Sequence, residues 1–360
     1  MTATTAPAGV RVFGIVTPLL LLAVAGAYLG FGLLTASYTF GCDFLTYADA
    51  AHRFEVGLPI YDLSQVRTGE CGIYQYPPPF ILLALPFGLL PPLVGTWAWV
   101  VLTVAAYVGG IWLMPVRREL KWVVGFVGAI GWPFIYGVRI GQVVPLLFFL
   151  FALGWRYLDR PAIVGVASGI GALVKVQPVL LLGWMAARLE WRALATAILT
   201  ILGISVLAAV IGLHAWTDFA TLLRNLSAAT TVPANVAIGA TLYQAGVPES
   251  AATVIQAINT VVLLGAVLVA ARGTTKQAGY LAAVVATQIT SPIVWDHYAL
   301  ILLLPVAWLV ERRQWWALAV PISQLWVLLP VAPLTIYPVA YYALLAGVLI
   351  VGWRERRVQA

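Results

Sequence analysis

RPAIVGVASGIGALVKVQPVLLLGWMAAR, residues 160–188, is the stretch on which the architecture turns. Two apolar runs, 162–174 and 176–188, meet at a single cation, Lys175. The far ends of the pair carry Arg156, Arg160, Arg188 and Arg192. Runs of this kind read as a hairpin through a bilayer, with the Arg-bearing ends held on the cytoplasmic side. Lys175 then falls at the outer turn.

The pattern extends along the chain. Of 360 residues, 62% are hydrophobic and only 9% charged, too few to cover a soluble surface. The 15 Trp and 15 Tyr suit the two water interfaces of a membrane protein. No low-complexity tract or internal repeat divides the chain, so residues 1–360 read as one integral domain. The net charge of +7 suggests a polyanion partner until its distribution is examined. Only Arg53, Arg67, Arg139, Lys175 and Arg224 of the 20 Lys and Arg escape the set of short segments and tails that share one side. The excess therefore reports topology, with both termini cytoplasmic, and not nucleic acid.

Apolar runs predict spans over 12–36, 93–115, 122–137, 142–157, 162–174, 176–188, 193–213, 251–270, 277–291, 298–310, 315–331 and 336–352. That makes an all-α polytopic protein with about 12 transmembrane helices, several shorter than a bilayer needs unaided. The first run is too long for a cleavable signal and reads as an uncleaved helix. The 78–90 run reads as a half-helix ended by Pro91-Pro92, because a full crossing there would place Arg117, Arg118 and Lys121 outside. Two outer loops are long, 37–77 and 214–250, and three outer turns are short: 131–141, near 175, and 291–297. The inner connections are short and basic, so the outer face is where a site can be built.

In the first long loop, Phe44, Tyr47, Ala51 and Phe54 share a helical face opposite Asp49, His52 and Arg53. This predicts a short amphipathic helix on the membrane surface that stops at Gly57. Two readings stand for Asp43: an N-cap for that helix, or a carboxylate placed to take a proton from a hydroxyl. Cys42 and Cys71, the only cysteines, share this loop; a bridge would close roughly 30 residues and stiffen it by about 3–4 kcal/mol, and two free thiols is the other reading. Downstream, Tyr74-Gln75-Tyr76-Pro77-Pro78-Pro79-Phe80 forces extended backbone, as an aromatic anchor or the rim of a groove.

Arg139, in Tyr136-Gly137-Val138-Arg139-Ile140-Gly141-Gln142, lies outside against the positive-inside trend. A cation at membrane depth is a functional-site candidate, and Arg139 and Lys175 together suit a lipid-borne phosphate; snorkelling to headgroups is the alternative for each. His297, in Ser291-Pro292-Ile293-Val294-Trp295-Asp296-His297-Tyr298, sits at an outer helix mouth, structural or suited to phosphate bonding or proton transfer. Arg224 and Asn235 in the second long loop read as solvated, with sugar or phosphate contact as the rival. No nucleotide-binding Gly-rich loop, zinc-spaced cluster or DxD pair occurs, so neither a metal nor a cofactor is expected.

Taken in order, CDFLTYADAAHRFEVGLPIYD, YQYPPPF, GQVVPLLF, GIGALVKVQPVLLL and SPIVWDHYALILL resemble the polyprenyl-phosphate-mannose-dependent mannosyltransferases of glycosyltransferase family 87. The set runs from residue 42 to about 304. The resemblance implies a GT-C membrane bundle in the cell membrane with an extracytoplasmic site. It implies an inverting, metal-independent transfer of a sugar, most simply mannose, from a polyprenyl-phosphate donor to a glycolipid or glycan acceptor. Asp43 matches the general base, and Lys175 and His297 match the positions around the donor phosphate; Arg139, Gln142 and Tyr76 are further candidates for holding the donor phosphate and sugar. This chain has Tyr47-Ala48 and His297-Tyr298 where the family often has a second aromatic and a second histidine. Rival readings are a related enzyme using a pentose or glucose donor, and a lipid or sugar transporter or flippase.

Overall fold

A computed structural model describes residues 8–35, 39–64, 72–226, 229–325, 328 and 334–359. Its helices in chain order are α1 (Ala8–Leu34), α2 (Cys42–Glu55), α3 (Ile81–Gly88), α4 (Pro92–Leu113), α5 (Arg118–Ala129), α6 (Trp132–Ile140), α7 (Val144–Arg156), α8 (Pro161–Val174) and α9 (Leu180–Arg188). There follow α10 (Trp191–Leu207), α11 (His214–Leu226), α12 (Ile238–Gln244), α13 (Glu249–Gly273), α14 (Lys276–Ile289), α15 (Leu303–Glu311), α16 (Ala319–Ser323) and α17 (Ile336–Gln359). Among the described residues the only extended pairing is one antiparallel bridge between Gly131 and Leu325. Among the described residues, four segments, Pro92–Leu113, Trp191–Ile211, Glu249–Gly273 and Ile336–Gln359, are long and apolar enough to cross a membrane. Shorter apolar helices accompany them, including Val144–Arg156 and Pro161–Val174. The protein is a helical, polytopic membrane protein.

Helix α14 is the axis of the bundle: every residue from Ala278 to Ile289 is buried, and α17, α13 and α9 pack around it. Lipid tails are as apolar as leucine, so such contacts are stabilised by close packing of small side chains. The α8–α10 pair, the most extensive contact, illustrates this. Gly165 and Gly169, one turn apart, face Ala193 and Ala197, and a Cβ on Gly165 would meet the Ala193 carbonyl oxygen at 2.5 Å.

Three expectations need correcting. The 122–137 span is two helices, because Pro133 lacks an N–H and cannot continue α5; Gly131 is extended and α6 restarts at Trp132. The 315–331 span stops at Ser323, after which Gln324 turns out of the helix and its carbonyl accepts from the Trp132 N–H at 2.9 Å; residues 326, 327 and 329–333 lie outside the described set. The second long loop is largely helical, and Ala215, Phe219 and Leu222 of α11 form its buried face. The 78–90 run is short, as expected: a 3₁₀ turn at Pro78–Phe80 and then α3, ending before Pro91.

Helix α2 follows its amphipathic reading closely. Phe44, Tyr47 and Ala51 are fully buried, His52 and Glu55 are exposed, and the helix ends just before Gly57. Asp43 is not its cap, however: Gly41 holds that position with φ 70° and Asp43 lies in the first turn. There a carboxylate is favoured by the helix dipole.

Helices α2 and α6 meet at a second left-handed glycine. Gly141 closes α6 with φ 79°, and a Cβ there would fall 2.7 Å from that of Phe44. The Trp99 indole N–H donates to the Gly141 carbonyl at 2.8 Å, locking the crossing. Gly141→Ala would combine roughly 1–2 kcal/mol of left-handed backbone strain with about 1–3 kcal/mol of overpacking. We expect a lowered unfolding midpoint in detergent by differential scanning fluorimetry; an unchanged midpoint would mean the crossing is not tight.

Candidate functional site

Both long loops and all three short turns converge on one cavity of about 150 Å³. The first loop contributes Asp43 and Tyr76, α6 and the residues after it Trp132, Tyr136 and Gln142, and the turn after α8 Lys175. The second long loop adds Val232 and Ala234, and the segment after α14 adds Asp296, His297 and Tyr298.

Asp43 is held from the side by Gln142, whose Nε2 donates to Oδ2 at 2.5 Å. The amide has only one workable orientation. Its oxygen accepts both the Val143 N–H at 3.0 Å and the Tyr76 hydroxyl at 3.2 Å, so the nitrogen must face the carboxylate. The Tyr47 hydroxyl donates in turn to Tyr76 at 2.7 Å. The chain Tyr47–Tyr76–Gln142–Asp43 thus ties α2, the Pro-rich segment and the end of α6 together by buried groups. Its base is aromatic: Tyr47 meets Tyr76, Phe80 and Trp99 edge-on at 4.8, 5.1 and 5.5 Å. Tyr61 supports it by donating to the Tyr76 carbonyl at 2.6 Å. Burial, and then the Asp218 carboxylate, push the Tyr61 phenol well above its ordinary value, so it stays a donor.

Lys175 follows α8 directly, in extended backbone between that helix and the 3₁₀ turn Gln177–Val179. Its ammonium hydrogen-bonds to the Tyr298 hydroxyl and lies 3.7 Å from the centre of that ring. Burial pushes it below its ordinary value, and the Asp43 carboxylate pulls it back up.

His297 is 3% exposed, and among the described residues neither ring nitrogen finds a hydrogen-bond partner. Asp296 Oδ1 lies 3.4 Å from its Nδ1. A buried imidazole on a cavity wall, with no hydrogen-bond partner among the described residues, can bond a ligand.

The 3₁₀ helix that carries these two residues, Asp296–Leu302, is positioned by Asn235. The Asn235 side-chain oxygen accepts the Val294 and Ala237 N–H groups, each at 2.9 Å, and its nitrogen donates to the Pro292 carbonyl at 2.8 Å. Asn235 is therefore neither solvated nor a ligand contact; it is fully buried and cinches the second long loop to the His297 segment. Arg224 sits on the exposed side of α11.

Five of the residues singled out by sequence, Asp43, Tyr76, Gln142, Lys175 and His297, line the cavity together. Arg139 does not: its guanidinium donates to the buried Thr39 hydroxyl at 2.8 Å. Cys42 is buried and disulfide-bonded, while Cys71, its expected partner, lies outside the described residues. Sequence reasoning passed over Trp132, Tyr136, Asp296 and Tyr298. Asp296 and Tyr298 flank His297 in the same short segment, and that adjacency was the available signal.

The cavity brings carboxylates, an ammonium and an imidazole together within an apolar helical bundle. The family model of glycosyltransferase family 87 matches residues 74–295, and the chain belongs to that family. It is a membrane glycosyltransferase. The matched stretch contains Tyr76, Gln142 and Lys175; Asp43 precedes it and Asp296 and His297 follow it. No curated protein and no solved structure matches the chain.

Proposed function

We propose that this glycosyltransferase moves a sugar, mannose in the first instance, from a polyprenyl-phosphate donor to a hydroxyl of a glycolipid or glycan. The reaction takes place on the extracytoplasmic face of the cell membrane, in a GT-C bundle of about 12 crossings with both termini inside. The observation that carries this reading is that Asp43, Lys175 and His297, a carboxylate, an ammonium and an imidazole, line one small cavity.

The acceptor oxygen attacks the anomeric carbon as its proton passes to the Asp43 carboxylate. The bond from that carbon to the phosphate oxygen breaks on the opposite face, leaving polyprenyl phosphate and inverting the centre. Lys175 and His297 compensate the charge that grows on the departing phosphate, so no metal is required. Gln142, bonded to Asp43 Oδ2, fixes the position of the carboxylate for this proton transfer.

A donor panel tests the reading in proteoliposomes. Polyprenyl-phosphate mannose should support transfer, and a soluble nucleotide sugar should not. Use of polyprenyl-phosphate glucose or a pentose in its place would revise the sugar. Movement of lipid across the bilayer without any transfer would overturn the assignment.

A further inference from the structure

We propose that Gln256, Asn259 and Thr260, a polar stripe on helix α13, are positioning residues that hold His297 where the donor phosphate meets it. The proposal rests on the phosphate-binding role given to His297 above and adds the device that fixes it.

Helix α13 is one of the long apolar helices, and Val254, Ile258 and Val261 along it are exposed. Gln256, Asn259 and Thr260 interrupt it at spacings of three and four, so they share one face. Polar side chains at membrane depth are costly and are kept for a specific use. Helix α14 ends at Ile289, with no further turn to supply N–H donors for its last carbonyls. The Asn259 amide donates to the Ile289 carbonyl at 3.0 Å, and the Thr260 hydroxyl to that of Thr290 at 3.0 Å. The Gln256 amide donates to the Ser291 carbonyl at 3.1 Å. Three consecutive carbonyls are thus taken by three side chains of a neighbouring helix.

The same saturation runs on to the site. Asn235 donates to the Pro292 carbonyl, and the Ser291 hydroxyl to that of Ile293 at 2.7 Å. The Val236 N–H takes the Val294 carbonyl at 2.8 Å, and the Tyr298 N–H that of Trp295 at 3.0 Å. Every carbonyl from Ile289 to Trp295 therefore has a donor within the chain. Irregular backbone at membrane depth is stable only when its polar groups are satisfied in this way. The segment is left with one register, and Asp296 and His297 follow it directly.

Two further bonds orient the stripe. The Tyr342 hydroxyl donates to Asn259 Oδ1 at 2.6 Å, so the Asn259 nitrogen faces Ile289. Gln256 Oε1 accepts the Gly239 N–H at 3.1 Å. A Cβ on Gly239 would lie 2.8 Å from the Ala252 carbonyl oxygen, so α12 of the second long loop rests directly on α13. Gln256 therefore ties that loop and the His297 segment to a single point.

The test uses the full chain in lipid nanodiscs, titrated calorimetrically with polyprenyl phosphate. Gln256→Met is close in volume and can make neither hydrogen bond. It should weaken binding about tenfold or more, the scale of one bond to a charged group, with the number of sites unchanged. A merely structural role would instead lower the number of competent sites and leave the affinity of the remainder alone. His297→Ala should weaken binding too, and adding Gln256→Met to it should cost less than about twofold more, because the two act as one unit. Thr260→Val, which removes a single bond to this segment, should shift affinity the same way by a smaller factor, and it decides the matter if Gln256→Met does not fold. Hydrogen–deuterium exchange of Gln256→Met should quicken in peptides covering residues 289–298 and stay unchanged in α8 and α10. An unchanged affinity, a full further loss in the His297→Ala background, or unchanged exchange at 289–298 would each overturn the proposal. A wild type that binds no polyprenyl phosphate would sink the donor reading, and the exchange measurement would then decide the positioning on its own.

Discussion

Asp43→Asn is expected to abolish sugar transfer while leaving the protein folded and able to bind donor. The substitution is nearly isosteric, and the asparagine oxygen can still accept the Gln142 amide that meets Asp43 Oδ2 in the wild type. The buried chain through Tyr76 and Tyr47 need not rearrange, since its hydrogen bonds end on Gln142. What disappears is the capacity to take a proton from the acceptor. General-base catalysis is worth roughly 10²–10⁴-fold, so kcat should fall by about that factor with donor KM little changed. Near-native turnover of Asp43→Asn in liposomes would remove Asp43 from the reaction.

Lys175→Met should damage the other half of the chemistry. Methionine keeps most of the aliphatic stem and lies flat among aromatic neighbours, so packing against Tyr298 survives. The ammonium that hydrogen-bonds to the Tyr298 hydroxyl is lost, and with it the charge compensation proposed for the departing phosphate. By analogy with removal of one group that stabilises a developing anion, kcat/KM for the donor should drop about 10²–10³-fold. Lys175→Arg should rescue only partly, because a planar fork does not replace a compact ammonium seated over the Tyr298 ring. Activity within about threefold of wild type for Lys175→Met would place the donor phosphate elsewhere.

The membrane character of the fold was legible because its signal is local and repeated: apolar runs, basic inner ends and a cation at a turn. The first-loop helix was legible too, since a period of 3.6 needs only a dozen residues to declare itself. Helix ends were harder. Pro133 splits one expected span, and the chain after Ser323 leaves its helix to bond across to the same break. That exchange joins residues nearly 200 positions apart, which no window on the sequence contains.

The site divides along the same line. Lys175 and His297 declared themselves as polar groups in apolar surroundings. Arg139 made the same impression, yet its partner is Thr39, 100 positions upstream, and only the fold decides which neighbour takes the guanidinium. Asp43 illustrates the converse. Its spacing suggested a cap, but the glycine two residues before it takes that position, and the carboxylate lines the cavity beside Gln142. Asp296 stayed hidden beside His297, because its meaning comes from Trp132, 164 positions away.

The central claim is that Asp43 faces the anomeric carbon of a lipid-phosphate sugar whose phosphate rests on Lys175 and His297. A cryo-electron microscopy structure of Asp43→Asn with polyprenyl-phosphate mannose bound tests it most directly. The account predicts the phosphate against Lys175 and His297, with the opposite face of the anomeric carbon open towards residue 43. A donor seated with its phosphate away from both groups, or with its anomeric carbon turned from residue 43, would contradict it.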